Sequence, residues 1–375
     1  MIPMPTRFVP TAPLLALCFA ALAQTPASKP PGSLPGTFTS IPRSDIAKVQ
    51  TAIQNGQPND SPVRMVNIAG KFDLGVYTLN YVEPSKPRSA GNPLRGWYHN
   101  DIAEVYFFAS GAGAWNVGGT LQNPEVDPVD GRSVKEVRGP GVIGVLQGYT
   151  VQKVSAGDIL IVPPGIPHSP GDMTEPTKII RFVLDPNKVL PLLPAVSLAL
   201  APTPRKTSTK PAPNLPGTFT FIPKADVAKV FQAIEQPGAY ADQAVRTVDL
   251  ANLNYRIGIY ALHVAQMPKD TTPLTSGWYH TKIAEVYYFL NGAGVFTIGG
   301  SLQNPTADDP NSYATKMVRG PSVSGKFQGA TNLKFEAGDV LIAPIGVPHA
   351  PSQVIAAPRD IIRIAIDPDK VLPLK

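Results

Sequence analysis

Cysteine is almost missing from this chain: the 375 residues contain one, Cys18. A disulfide framework is therefore excluded, and a thiol nucleophile would have to be this single residue. Charge is sparse as well, at 16% of residues, and the excess of +6 is scattered without a basic block interleaved with aromatics. That pattern excludes a surface that tracks a nucleic-acid backbone and predicts no nucleic-acid partner. Long apolar runs are lacking too. The run from about Leu14 to Leu22 is too short to span a bilayer, so no membrane contact is expected beyond that segment.

That segment has its own logic. One arginine, the apolar run and the small residues Ala21 and Ala23 read as a cleaved secretory signal over 1–23, which predicts a secreted or periplasmic protein. Cys18 would leave with it, and Leu17 before it is larger than a lipid-anchoring signal wants.

Proline and glycine are plentiful, with 43 and 32 residues, and hydrophobic residues make up 43%. This composition favours a turn-rich all-β protein long enough for two domains. An internal repeat fixes how they are laid out. "LPGTFTSIPRSDIAKV" at 34 returns as "LPGTFTFIPKADVAKV" at 215, and "AGDILIVPPGIPH" at 156 returns as "AGDVLIAPIGVPH" at 337. The expected organisation is a first domain over 30–192, a Pro/Ala/Thr-rich tether over 193–214 and a second domain over 215–375. In each copy a short helix is expected where Ile46, Val49 and Ile53, or Val227, Val230 and Ile234, fall at helical spacing. Short runs of branched and aromatic residues then predict strands of a small antiparallel barrel or sandwich.

Of the five histidines, four sit in equivalent places: His99 and His168, then His280 and His349. Glu104 and Glu285 follow the first histidine of each pair within "GWYHNDIAEVYFFASGAG" and "GWYHTKIAEVYYFLNGAG". A strand carrying the histidine, a turn and a return strand carrying the glutamate can aim both at one interior point. Two imidazoles and a carboxylate with open positions suit a divalent first-row metal, Fe or Mn before Zn, Ni or Cu, one in each domain.

These residues resemble the two motifs of the cupin superfamily. Gly91, His99, Glu104 and Gly111 fall in register with the first motif. Gly157, Pro163, Gly165 and His168 match the second, as do Gly338, Pro344, Gly346 and His349. The resemblance covers both halves and implies a bicupin: two tandem jelly-roll barrels, each with a metal site in its mouth. One departure stands out. Trp97 and Trp278 replace the first histidine of the usual pair, and indole cannot ligate in its place. The resemblance then implies three protein ligands instead of four, which suits cupin dioxygenases better than oxalate decarboxylases or oxidases.

The expected function is an exported metal-dependent enzyme acting on a small organic molecule, with a non-haem dioxygenase reading first. A non-catalytic, storage-like binder of metal or small ligand is the alternative, as is a cupin decarboxylase or isomerase. Catalytic residues are not assigned, and homo-oligomerisation is left open. Trp97, Tyr106, Trp278 and Tyr287 are candidate pocket walls, against core packing. Arg181 and Arg363 are candidates to receive a substrate carboxylate, against a structural ion pair. His263, whose counterpart is Asn80, reads as a surface or packing residue. The acidic stretches "NPEVDPVDGRS" and "NPTADDPNSYA" read as loops.

Overall fold

A computed structural model of the chain describes residues 37–85, 93–196, 218–268 and 272–375. The signal segment, most of the tether and Gly91 lie outside these residues.

Each copy folds into two facing six-stranded antiparallel sheets. In the first copy, one sheet runs in the order Thr120–Val126, Gly141–Gln147, Arg95–His99, His168–Met173, Ala112–Val117 and Thr150–Ser155. The facing sheet runs Thr220–Ile222, Ile159–Val162, Ala103–Ser110, Thr177–Asp185, Phe72–Tyr81 and Asp60–Ile68. The second copy repeats both orders with the equivalent strands. This is the jelly-roll architecture expected, and twice over it is the fold of a bicupin.

Side-chain alternation gives the sheets that carry the glutamates two apolar faces. On Ala103–Ser110, Tyr106 and Phe108 point into their own barrel and join a core with Trp115, Leu160 and Ile179. Val105 and Phe107 point the other way and pack with Phe182, Val286, Tyr288 and Ile364 in a core shared by both copies. Phe107 meets Tyr288 edge-on with ring centroids 5.0 Å apart. Burying each such side chain contributes about 1.5–3 kcal/mol, so the contact between barrels is an apolar core and not a wet interface.

The arms at the start of each copy are exchanged. Thr39–Ile41 pairs with Val340–Ala343 of the second copy, and Thr220–Ile222 pairs with Ile159–Val162 of the first. A helix follows each arm, Arg43–Gln54 and Lys224–Ile234, buried along Ile46, Val49 and Ile53 and along Val227 and Ile234. Both helices begin after a proline that offers no side-chain cap. The cap comes from the other copy: Asp339 accepts the backbone N–H of Arg43, and Asp158 that of Lys224, each at 2.7 Å.

The stretches read as loops hold more structure than that. Thr120–Val126 and Ser301–Ala307 are strands, each interrupted by a bulge where Asn123-Pro124 or Asn304-Pro305 breaks the ladder. Ser133–Arg138 and Ala314–Arg319 form single π-helical turns over the barrel mouths. No helix among the described residues is long and apolar enough to cross a membrane.

Candidate metal centres

His99 ends the strand Arg95–His99, and His168 opens the neighbouring strand, where it pairs with Trp97. Glu104 comes from the opposite sheet, between Val162 and Val183 on the flanking strands. All three side chains are buried, and their ligating atoms lie within 4.8 Å of one another. His280, Glu285 and His349 repeat the arrangement. The two sheets of each barrel thus meet at the three residues singled out by the repeat.

Glu104 divides its oxygens between two tasks. Oε1 accepts from the Arg181 guanidinium. Oε2 accepts from the Tyr106 hydroxyl at 2.7 Å and faces Nε2 of His99 at 3.1 Å and of His168 at 3.2 Å. In the second barrel Oε2 of Glu285 faces His280 at 3.2 Å and His349 at 2.9 Å, with Tyr287 and Arg363 in the matching roles.

Whether these donors suit a metal can be read from their hydrogen bonds. His168 Nδ1 lies 2.9 Å from the Ile166 carbonyl and His349 Nδ1 lies 2.8 Å from the Val347 carbonyl. A carbonyl only accepts, so each Nδ1 carries a proton and Nε2 is left as the atom that would ligate. It faces a carboxylate oxygen, an arrangement that a cation between them makes favourable. Nε2 of His99, His168 and His280 is buried without a hydrogen-bond partner, as expected of atoms aimed at an ion. Spacing adds a geometric point. Ligands ~2.1 Å from a metal lie about 3.0 Å apart at an octahedral right angle and about 3.4 Å apart in a tetrahedron. The carboxylate–imidazole separations of 2.9–3.2 Å fall at or between these edges, so one ion could be reached from both donor types.

Electrostatics prepare the same state. Burial pushes His99 and His280 down to about 4, against the pull of the glutamates, so both rings are neutral near pH 7. Burial works against ionisation of Glu104, but the flanking His99 imidazole and the Arg181 guanidinium outweigh it and hold the carboxyl well below its ordinary range. Burial and the neighbouring carboxylate raise Tyr106 well above an ordinary phenol, keeping it a donor.

Arg181 commits both terminal nitrogens of its guanidinium to this framework. Beyond Glu104 it donates to Asp60 at 3.0 Å and to the Val137 carbonyl at 3.1 Å, and it stacks over Tyr77 at 4.4 Å. Arg363 does the same with Glu285, Asp242, Val318 and Tyr260. The geometry is that of the structural ion pair. Asp60, Asp242 and the mouth arginines Arg138 and Arg319 escape a search for ligand motifs, although "VRGP" recurring at 137 and 318 was a signal for the latter. Arg138 lies over the Trp97 ring at 4.5 Å, and Arg319 over Trp278 at 3.7 Å. His263 is a packing residue: its two ring nitrogens meet Asp360 and, at 3.0 Å, Glu235, tying the second helix to the sheet.

A cavity of about 430 Å³ opens beside the first centre. Trp97, Tyr106 and Arg181 line it together with Trp115, Tyr81, Leu79, Arg132 and Arg138. Its aromatic walls end one side chain short of the ligands, at Tyr106.

Comparison with solved structures gives fold likenesses at low identity. Salicylate 1,2-dioxygenase from Pseudaminobacter salicylatoxidans is 12% identical with a TM-score of 0.45, covering 88% of this chain and 84% of that one. A formate complex of oxalate decarboxylase from Lactobacillus farciminis is 15% identical with a TM-score of 0.39, covering 85% and 83%. A deletion mutant of the Bacillus subtilis oxalate decarboxylase is 12% identical with a TM-score of 0.37, covering 84% and 74%. No family model matches the sequence, and no curated protein matches it.

Proposed function

We propose that this chain is an exported, metal-dependent bicupin enzyme, a non-haem dioxygenase acting on a small neutral molecule with a planar apolar body. The observation that carries the reading is the facial set of His99, His168 and Glu104 beside an aromatic cavity. A bound Fe(II) or Mn(II) would supply open coordination positions for dioxygen and substrate. His99, His168 and Oε2 of Glu104 would hold it, Arg181 and Tyr106 would fix the carboxylate, and Trp97 and Trp115 would position the substrate and exclude water.

The preference for a neutral substrate rests on the arginines of the cavity, each of which already has a carboxylate partner. Arg181 is matched by Glu104 and Asp60, Arg132 by Glu136 and Arg138 by Asp127. No arginine lining the cavity is left to require a carboxylate. The test is anaerobic loading with Fe(II), followed by oxygen uptake with a panel of phenols and their carboxylated analogues. Uptake with neutral phenols that His99→Ala abolishes is expected. Uptake indifferent to His99→Ala and His280→Ala together would remove the dioxygenase reading and leave a binding protein.

A further inference from the structure

We infer that the two centres are not equivalent: the first, beside the cavity, exchanges its ion more readily, and the second, beneath a tyrosine pair, holds its ion more tightly. The inference rests on the metal reading above and stands on two separate differences between the copies.

The first difference lies at the mouths. In the first barrel Pro58, Trp97, Trp115, Arg132 and Arg138 surround the cavity. In the second barrel the equivalent positions are Tyr240, Trp278, Phe296, Tyr313 and Arg319. Tyr240 and Tyr313 pack against each other with ring centroids 5.6 Å apart. Arg319 donates to the Tyr240 hydroxyl at 2.6 Å while lying on Trp278, whose ring is 6.2 Å from that of His349. A proline and an arginine around a cavity have become a pair of tyrosines packed at a tilt and tied to the arginine over the site. Trp115 sharpens the contrast: it lines the first cavity with its indole N–H buried and unpartnered, whereas Phe296 has no donor to offer a ligand.

The second difference lies behind the first histidine of each set. His280 Nδ1 is 2.8 Å from the Ser322 hydroxyl, which itself donates to the Gly320 carbonyl at 2.9 Å. With its proton committed to that carbonyl, the serine oxygen accepts from Nδ1–H, and Nε2 of His280 is left with the lone pair that ligation needs. Opposite His99 the strand carries Gly141, and His99 Nδ1 is buried with no partner. A Cβ at Gly141 would lie 2.5 Å from the Tyr98 carbonyl oxygen, so the first barrel has no room for the same serine. Nothing orients the His99 ring from behind, and its tautomer is unset.

The experiment loads the full chain with Mn(II), counts ions per chain, and follows their release to excess chelator by stopped flow. Two ions and two release phases are expected, the fast phase missing in His99→Ala and the slow phase missing in His280→Ala. Ser322→Ala should weaken the slow site by about 10-fold or more, the usual effect of losing an outer hydrogen bond to a ligating histidine. Tyr313→Ala, at a half-exposed position, should accelerate the slow phase and leave the fast one unchanged. A single phase, or a fast phase that belongs to His280, would overturn the inference while leaving the metal reading intact. No bound ion at all would instead overturn the metal reading.

Discussion

Arg181 holds Glu104 by one oxygen and leaves the other to the imidazoles. The buried guanidinium therefore aims a carboxylate that sits on a different strand, and both barrels are built this way. Replacing Arg181 by alanine strands Glu104 in the interior without its counter-charge and leaves Asp60 unpaired at the cavity wall. A loss of about 3–5 kcal/mol in unfolding free energy of the metal-free protein is expected, read from urea midpoints. Arg181→Lys keeps the charge without the fork and should fall between.

Tyr106 donates to the oxygen that faces both histidines. Tyr106→Phe removes one charge-assisted hydrogen bond and should cost about 1.5–3 kcal/mol of stability without the metal. Ion content of the first centre, measured by elemental analysis of the His280→Ala background, should fall as the carboxylate loses its second anchor.

The pH response has two opposing parts. His99 and His280 titrate near 4 in the fold and near 6.5 outside it, so their contribution is complete above about 6.5 and is lost as pH falls through about 4. Asp60 and Asp242, raised by burial from 3.8 to about 6, contribute fully below 3.8 and lose that contribution as pH rises through about 6. Between pH 4 and 6 the two slopes oppose. Imidazole NMR of the metal-free protein separates them: His99 and His280 should remain neutral down to about pH 5, and protonation near 6.5 would contradict the buried assignment.

Asp158 joins the copies. It caps the second helix at Lys224 and also accepts the Ser155 N–H at 2.7 Å. Asp158→Ala should cost about 1–2 kcal/mol and raise amide exchange at Lys224 and along Thr220–Ile222. Exchange unchanged at those amides would mean that the arm is held without the cap.

Export is checked by mass. Protein recovered from outside the cytoplasm should begin shortly after Ala23 and contain no cysteine, whereas an intact Met1 would defeat the signal reading.

The candidate ligand set was legible because duplication printed it twice: His99, Glu104 and His168 gain meaning when His280, Glu285 and His349 match their spacing. Strands written as runs of branched and aromatic residues, such as Ala103–Ser110, were equally plain. Thr120–Val126 was hidden by Asn123-Pro124, where a bulge takes the place of the period-two pattern. Asp60 was hidden for another reason, since its partner Arg181 is 121 positions away and only the sheet brings them together. The arm exchange was out of reach because linear order places each arm beside its own copy, and either copy's Ile-rich edge would accept it. Likewise Tyr240 and Tyr313 are ordinary loop tyrosines until the fold sets them over one mouth.

The exchanged arms bear on what half of this chain could do by itself. A lone half would expose the edge at Ile159–Val162 or Val340–Ala343, with hydrogen-bonding groups ready for any passing strand. Two such halves would satisfy each other as a symmetric homodimer, and only as fast as they met. Joining them end to end supplies the partner at an effective concentration in roughly the millimolar range, independent of how dilute the protein becomes. Were the chain exported as proposed, assembly would be an internal event of a single molecule however open the medium.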